Sequence, residues 1–147
     1  MNILSRVTLF ILALVLFTAC SPKAAPTQYV FTGDNPYAPQ PGDADMQRGN
    51  ITVDSSSLNL TQSLPPQAML NFAYFQPTPC FQLRVEVNGS DSQNRINVTG
   101  YAVAEKDKAC TLMALATPLQ ASLNLGDFPS GHYSVWLNGS KVGEFDS

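Results

Sequence analysis

The strongest constraint on how this 147-residue chain can fold is an alternation of apolar and polar residues with a period of two. In "CFQLRVEVN", Phe81, Leu83, Val85 and Val87 fall on one side and Gln82, Arg84, Glu86 and Asn88 on the other. "LQASLNL" repeats the pattern with Leu119, Ala121, Leu123 and Leu125, and "AMLNFAYF" puts Leu70, Phe72 and Tyr74 in one phase. Successive side chains of a strand point to opposite faces, so this pattern describes strands with one dry and one wet face, as in an antiparallel sandwich. Two segments change phase. "RINVTGYAVAE" begins with Ile96 and Val98 inward and continues with Tyr101 and Val103, which predicts a bulge at Gly100. "ITVDSSSLNL" changes between Ile51/Val53 and Leu58/Leu60, which predicts a first strand that crosses between sheets. "HYSVWLNGSKVGEF" reads as a hairpin turning at Asn138-Gly139, the pair favoured in a type I′ turn. "ACTLMALATP" fits either a short helix or a strand. The expectation is an all-β fold, a small immunoglobulin-like antiparallel β-sandwich of six or seven strands over residues 51–147.

The first fifty residues have a different character. Arg6 precedes an apolar run, Val7 to Ala19, that is shorter than the roughly 20 residues needed to span a bilayer. It reads as an export signal, residues 1–19. Cleavage after Ala19 or Ala25 would place Phe17 or Lys23 where a small residue is required, so an ordinary signal-peptidase site fits poorly. The run "LFTAC" resembles instead the lipobox of bacterial lipoproteins, with Phe17 where that motif usually has an aliphatic residue. The resemblance implies that Cys20 is lipidated and becomes the mature N-terminus. Ser21 in place of Asp is, by the same resemblance, compatible with sorting to an outer membrane. Residues 20–50 then read as a lipid-anchored linker rich in proline (Pro22, Pro26, Pro36, Pro39, Pro41), although Tyr29, Phe31 and Tyr37 are unusual for a pure spacer and would let part of it lie against the folded domain. Its reach would be roughly 90 Å as polyproline II and roughly 30 Å as a coil. Asp43, Asp45 and Asp54 loosely echo a calcium loop, but Arg48 stands where the tight turn requires glycine, and a solvated acidic tether is the better reading.

With Cys20 assigned to lipid, Cys80 and Cys110 remain as a pair in an exported chain and are expected to form a disulfide. Closing a loop of that length is worth about 3.6 kcal/mol in the chain-entropy model. Little else points to chemistry. The single histidine, His132, shares a strand face with Ser134, but nothing in the sequence orients its ring toward a nucleophile, and a solvated edge residue is expected. One histidine and two paired cysteines cannot supply a zinc site, and no glycine-rich phosphate loop is present. The formal net charge of −3 offers no basic stripe for nucleic acid. No catalytic residue, metal or cofactor is expected.

The C-terminal hairpin carries the candidate partner site. A two-residue turn at Asn138-Gly139 sets Leu137 opposite Ser140, Trp136 opposite Lys141 and Val135 opposite Val142. With Tyr133, Val135 and Leu137 inward, Trp136, Lys141 and Phe145 form an outward patch, with Lys141 able to lie over the indole. Trp136 could then meet a partner, be covered by Tyr29 or Phe31 of the linker, or, with the phase inverted, lie in the core. "PTPCFQLRV" and "FPSGHYSVWLNGSKVGEF" together resemble a group of uncharacterised bacterial surface lipoproteins that share a Pro-rich tether, a Cys just before a strand and a Gly-x-Tyr-x-Val-x-x-Asn-Gly ending. The resemblance implies architecture and carries no activity. The expectation is a binding or scaffold module without catalysis, attached to the cell membrane or outer membrane through lipid on Cys20, extracytoplasmic, and meeting an envelope or extracellular protein. The alternative is an inhibitor of extracellular proteases that presents the disulfide-tied loop "FQPTPC".

Overall fold

The computed structural model describes residues 28–63, 65–110 and 117–147. The export signal, Cys20 and most of the helix-or-strand piece at 111–116 lie outside the described residues. Within them the chain forms a two-sheet sandwich from eight strands: β1 Gln47–Asn50, β2 Thr52–Leu60, β3 Gln67–Phe75, β4 Gln82–Val87, β5 Arg95–Ala104, β6 Leu119–Asp127, β7 His132–Leu137 and β8 Ser140–Asp146. One sheet runs β2-β3-β6. The other is built on β5, which pairs β4 along one edge and β7 and then β1 along the other, with β8 outside β7. The alternating faces meet as the pattern requires. Leu70, Phe72, Leu123 and Leu125 from one sheet pack against Val85, Ile96, Val98, Val135 and Leu137 from the other, all essentially without solvent contact.

Four expectations are corrected. The ladder between β5 and β7 is parallel, in an otherwise antiparallel set. The chain leaves β5, passes through β6 in the opposite sheet and returns in the same direction, which only a long crossover permits. The sheet crossing near the N-terminus occurs at Ile51, between β1 and β2, and not within "VDSSSL"; the phase change there comes from a bulge between Val53 and Ser55. Gly100 carries no bulge, because β4 and β5 stay in register from Gln82/Val103 to Val87/Val98. Gly100 and Ala102 continue the inward phase of Ile96 and Val98, while Tyr101 and Val103 face outward and are nevertheless buried.

What buries them is the fourth correction. The boundary expected at residue 51 falls inside the fold, because residues 28–50 are part of the sandwich. Tyr29 is a core residue with 1% exposure. Its ring stacks on Phe128 (centroids 4.3 Å apart) and meets Tyr133 edge-on, and its hydroxyl donates to the Leu125 carbonyl. Burial pushes its phenol pKa far up. Its backbone bonds Ser90 in both directions, N–H to Ser90 Oγ (2.9 Å) and Ser90 N–H to Tyr29 O (3.1 Å). Further along, the free edge of β4 is capped at Val85: its N–H donates to Tyr37 O (2.8 Å), and its carbonyl accepts from Asn35 Nδ2 (2.7 Å). The segment therefore closes the seam between β4 and β6. It then crosses the outer face of β4 and β5 through a 3₁₀ turn, Pro41–Asp45, and enters the sheet as β1 on the far edge of β5. Glycine makes the close approach to β6 possible. A Cβ on Gly33 would lie 1.9 Å from the Asn124 carbonyl oxygen.

Candidate functional site

The belt formed by residues 28–50 fixes two contacts on the outer face, a buried ion pair and an exposed guanidinium over a buried ring. Arg84, turned outward by the alternation of β4, is met by Asp43 in a bidentate pair (Nε–Oδ2 2.8 Å, Nη2–Oδ1 3.0 Å) with both side chains under 10% exposed. The Arg84 hydrogen bond, helped by the Gln40 backbone N–H, holds the Asp43 carboxyl below its ordinary range. Next to it, the Arg48 guanidinium sits 3.5 Å from the centre of the Tyr101 ring. Burial, then Glu86, raises the Tyr101 pKa. Asp43 is thus a structural counter-ion, and not part of a solvated acidic tether. Among the described residues no group of three or more His, Cys, Asp or Glu side chains could hold a metal ion.

The hairpin forms as the turn residues dictate. Asn138 and Gly139 both have positive φ (48° and 83°), the type I′ geometry. The Asn138 side chain also bonds both backbone groups of Gly100, accepting from its N–H (2.8 Å) and donating to its carbonyl (3.0 Å). It thereby fills the gap on the edge of β5 between β7 and β1. Leu137/Ser140 and Trp136/Lys141 pair as expected. Beyond them a bulge intervenes, and Val135 faces Gly143 in place of Val142. The phase of β8 flips at that point. Phe145, expected outward, turns into the core opposite Tyr133 at 7% exposure and packs edge-on against Phe128 (4.8 Å). Glu144 and Asp146 take the outer face in its place. A turn fixes register only as far as the first bulge, and the glycine inside β8 was the available signal for one.

The outward face of the hairpin therefore carries His132, Ser134 and Trp136 on β7 and Lys141, Glu144 and Asp146 on β8. Trp136 is half-buried, and its indole N–H donates to Ser134 Oγ (3.0 Å), which holds the ring along the strand. Lys141 turns to Glu144 and does not lie over the indole. That hydrogen bond and the lysine charge hold the Glu144 carboxyl below its ordinary range. His132 is exposed and places Nδ1 2.8 Å from Asp146 Oδ1. Its neighbour Ser134 accepts from Trp136, and among the described residues no hydrogen bond joins that hydroxyl to the imidazole. Asn97 and Arg95 on β5, paired with Trp136 and Ser134, extend the face and are exposed. The aromatics expected as covers for Trp136 lie elsewhere: Tyr29 is in the core and Phe31 packs against it.

At the opposite end of β5 the expected disulfide joins Cys80 and Cys110. It braces the Pro77–Phe81 turn, where Phe81 N–H donates to Thr78 O (3.2 Å) and Thr78 Oγ1 lies 2.9 Å from Cys110 Sγ. Pro77 and Pro79 face solvent beside a cleft of about 380 Å³ that reaches Phe81, Glu105 and Lys108.

Two facing sheets, a braced loop at one end and an open aromatic-and-charge face on the last hairpin define a small β-sandwich. The chain belongs to the ORF11 beta-sandwich domain family, which it matches over residues 72–147. The match begins inside β3, so the belt, β1 and most of the β2–β3 hairpin lie outside it. No curated protein and no solved structure matches the chain.

Proposed function

We propose that this protein is a lipid-anchored binding or scaffold module on the outer side of a bacterial membrane, with no catalysis of its own. The anchor reading rests on the lipobox-like "LFTAC" and on the lipoprotein group that the tether and the C-terminal hairpin resemble. The observation that carries the binding reading is Trp136. It is an indole held in one orientation by Ser134, on a sheet face that neither the second sheet nor the belt covers, within a row of charges of both signs. Rigid aromatic side chains surrounded by polar groups are the usual anchors of protein interfaces. The partner is an envelope or extracellular protein. Placing a photo-cross-linking amino acid at Lys141 in the full chain, in intact cells, tests this. Discrete protein adducts that vanish with Trp136→Ala, while the thermal transition is kept, support the reading; adducts unaffected by Trp136→Ala remove this face from consideration. Acyl-analogue labelling of wild type and Cys20→Ser tests the anchor separately, and equal labelling of both would sink it.

The braced loop favours a second reading, inhibition of an extracellular protease through Pro77 and Pro79. Its turn is fixed by the disulfide and by the inward-facing Thr78. Inhibition that survives Trp136→Ala and is lost on reduction would move the site to that end.

A further inference from the structure

The two ends of the sandwich differ, and the belt decides which end is near the anchor. Pairing of Leu60 with Ala68 and of Gln67 with Asp127, together with the stacking of Tyr29 on Phe128, places residues 28–30, Leu60 and the β6–β7 connection at one pole. Pairing of Gln82 with Val103 and of Gln47 with Ala104 places the Cys80–Cys110 disulfide at the other. The length of β5 separates them by about 30 Å. Among the described residues two large hydrophobic side chains are exposed, Val30 at 71% and Leu60 at 44%, and both are at the first pole. Beside Val30 a shallow depression of about 450 Å³ is lined by Gln28, Thr32, Phe128 and Pro129.

We infer that this pole rests on the lipid surface and that the braced-loop pole points away from it. The inference deepens the reading above and depends on lipidation of Cys20. With residues 28–50 bound into the fold, the tether shrinks to Ser21–Thr27. Eight Cα–Cα steps span at most about 28 Å, so Gln28 cannot stand farther than that from the lipidated cysteine. The headgroup layer takes up about 5–7 Å of this distance. Two aliphatic side chains would not hold a free protein on a bilayer. On so short a tether the contact is intramolecular, and a small preference is enough to select one orientation. At this pole Asp91 is paired with Arg95 and Asp146 lies 2.8 Å from His132 Nδ1, while Asp127 accepts from Gln67 Nε2 and has no cationic partner among the described residues, so the aliphatic contact must outweigh the cost of bringing that carboxylate near headgroups. The orientation directs the Asn138-Gly139 turn and the Pro77–Phe81 loop outward, toward partners.

The test places a photo-cross-linking amino acid at Val30, at Leu60, or at the exposed Lys106 of the far pole, in the full chain expressed in a bacterium with its own membranes. Intact mass confirms acylation first. Lipid adducts are expected at Val30 and Leu60 and not at Lys106, and aspartate at whichever aliphatic position does not carry the probe should weaken the adduct at the other without loss of acylation. An acylated chain that gives lipid adducts equally at the two poles, or at neither, overturns this inference alone. A chain that carries no acyl group fails the anchor reading and takes the orientation with it.

Discussion

Replacing Tyr29 by alanine separates two views of the N-terminal segment. As part of a tether, Tyr29 would be a surface residue, and its removal would change stability by no more than about 0.5 kcal/mol. In the structure it is fully buried, stacked on Phe128, edge-on to Tyr133, and hydrogen-bonded to Leu125 O. Large aromatic-to-alanine changes in cores cost about 3–5 kcal/mol. The lost hydroxyl leaves the Leu125 carbonyl without that donor, which adds about 1 kcal/mol. Tyr29→Phe isolates the second contribution, because it keeps the stacking. The assay is urea unfolding of the soluble chain from Ser21 onward with its disulfide intact. At an m-value of about 1.5–2 kcal/mol per molar, Tyr29→Ala should lower the midpoint by about 2–4 M and Tyr29→Phe by about 0.5 M. Such a loss is a large part of the 5–15 kcal/mol typical of a whole domain, so the alanine variant could be partly unfolded without urea. A midpoint for Tyr29→Ala within error of wild type would refute the belt as part of the folded unit. A Tyr29→Phe loss as large as that of alanine would show that the hydroxyl, and not the stacking, holds the segment.

Three further outcomes follow from the same contacts. The Asp43 carboxyl has a depressed pKa in the folded state, so its pairing with Arg84 stabilises fully above the ordinary aspartate value and is lost as pH falls through the depressed one. Urea midpoints of wild type and Asp43→Asn should differ near neutrality and converge in strong acid, whereas a constant gap would show that the pair does not titrate as described. Gly33→Ala should destabilise by about 1–3 kcal/mol, since its Cβ would meet the backbone of Asn124 and Gly126. Gly42→Ala, with open space around its Cβ, should be silent, and equal melting temperatures for the two variants would contradict the close approach. Asn138→Gly keeps the turn but frees both backbone groups of Gly100, for a loss of about 1–2 kcal/mol; Asn138→Ala should cost more, because it must also hold φ at 48°, and a reversed order in thermal unfolding would reject this account.

The sequence by itself determined what depends on local rules. Alternation in β3, β4 and β6 set which side chains face the core, because a strand leaves no other periodicity. Asn138-Gly139 set the turn and the first two pairs of the hairpin, because both residues tolerate positive φ. The disulfide expected between Cys80 and Cys110 forms. The tertiary structure decided whatever depends on contacts distant along the chain. Tyr29 and Asp43 look like tether residues because their partners, Phe128 and Arg84, are far away in sequence and no periodic pattern links them. Tyr101 and Val103 suggested a phase slip because burial was equated with one face, while the belt covers the other. Phe145 exchanged the surface for the core because one bulge resets a period of two, and Trp136 alone of the expected aromatic pair was left on the open face of the hairpin.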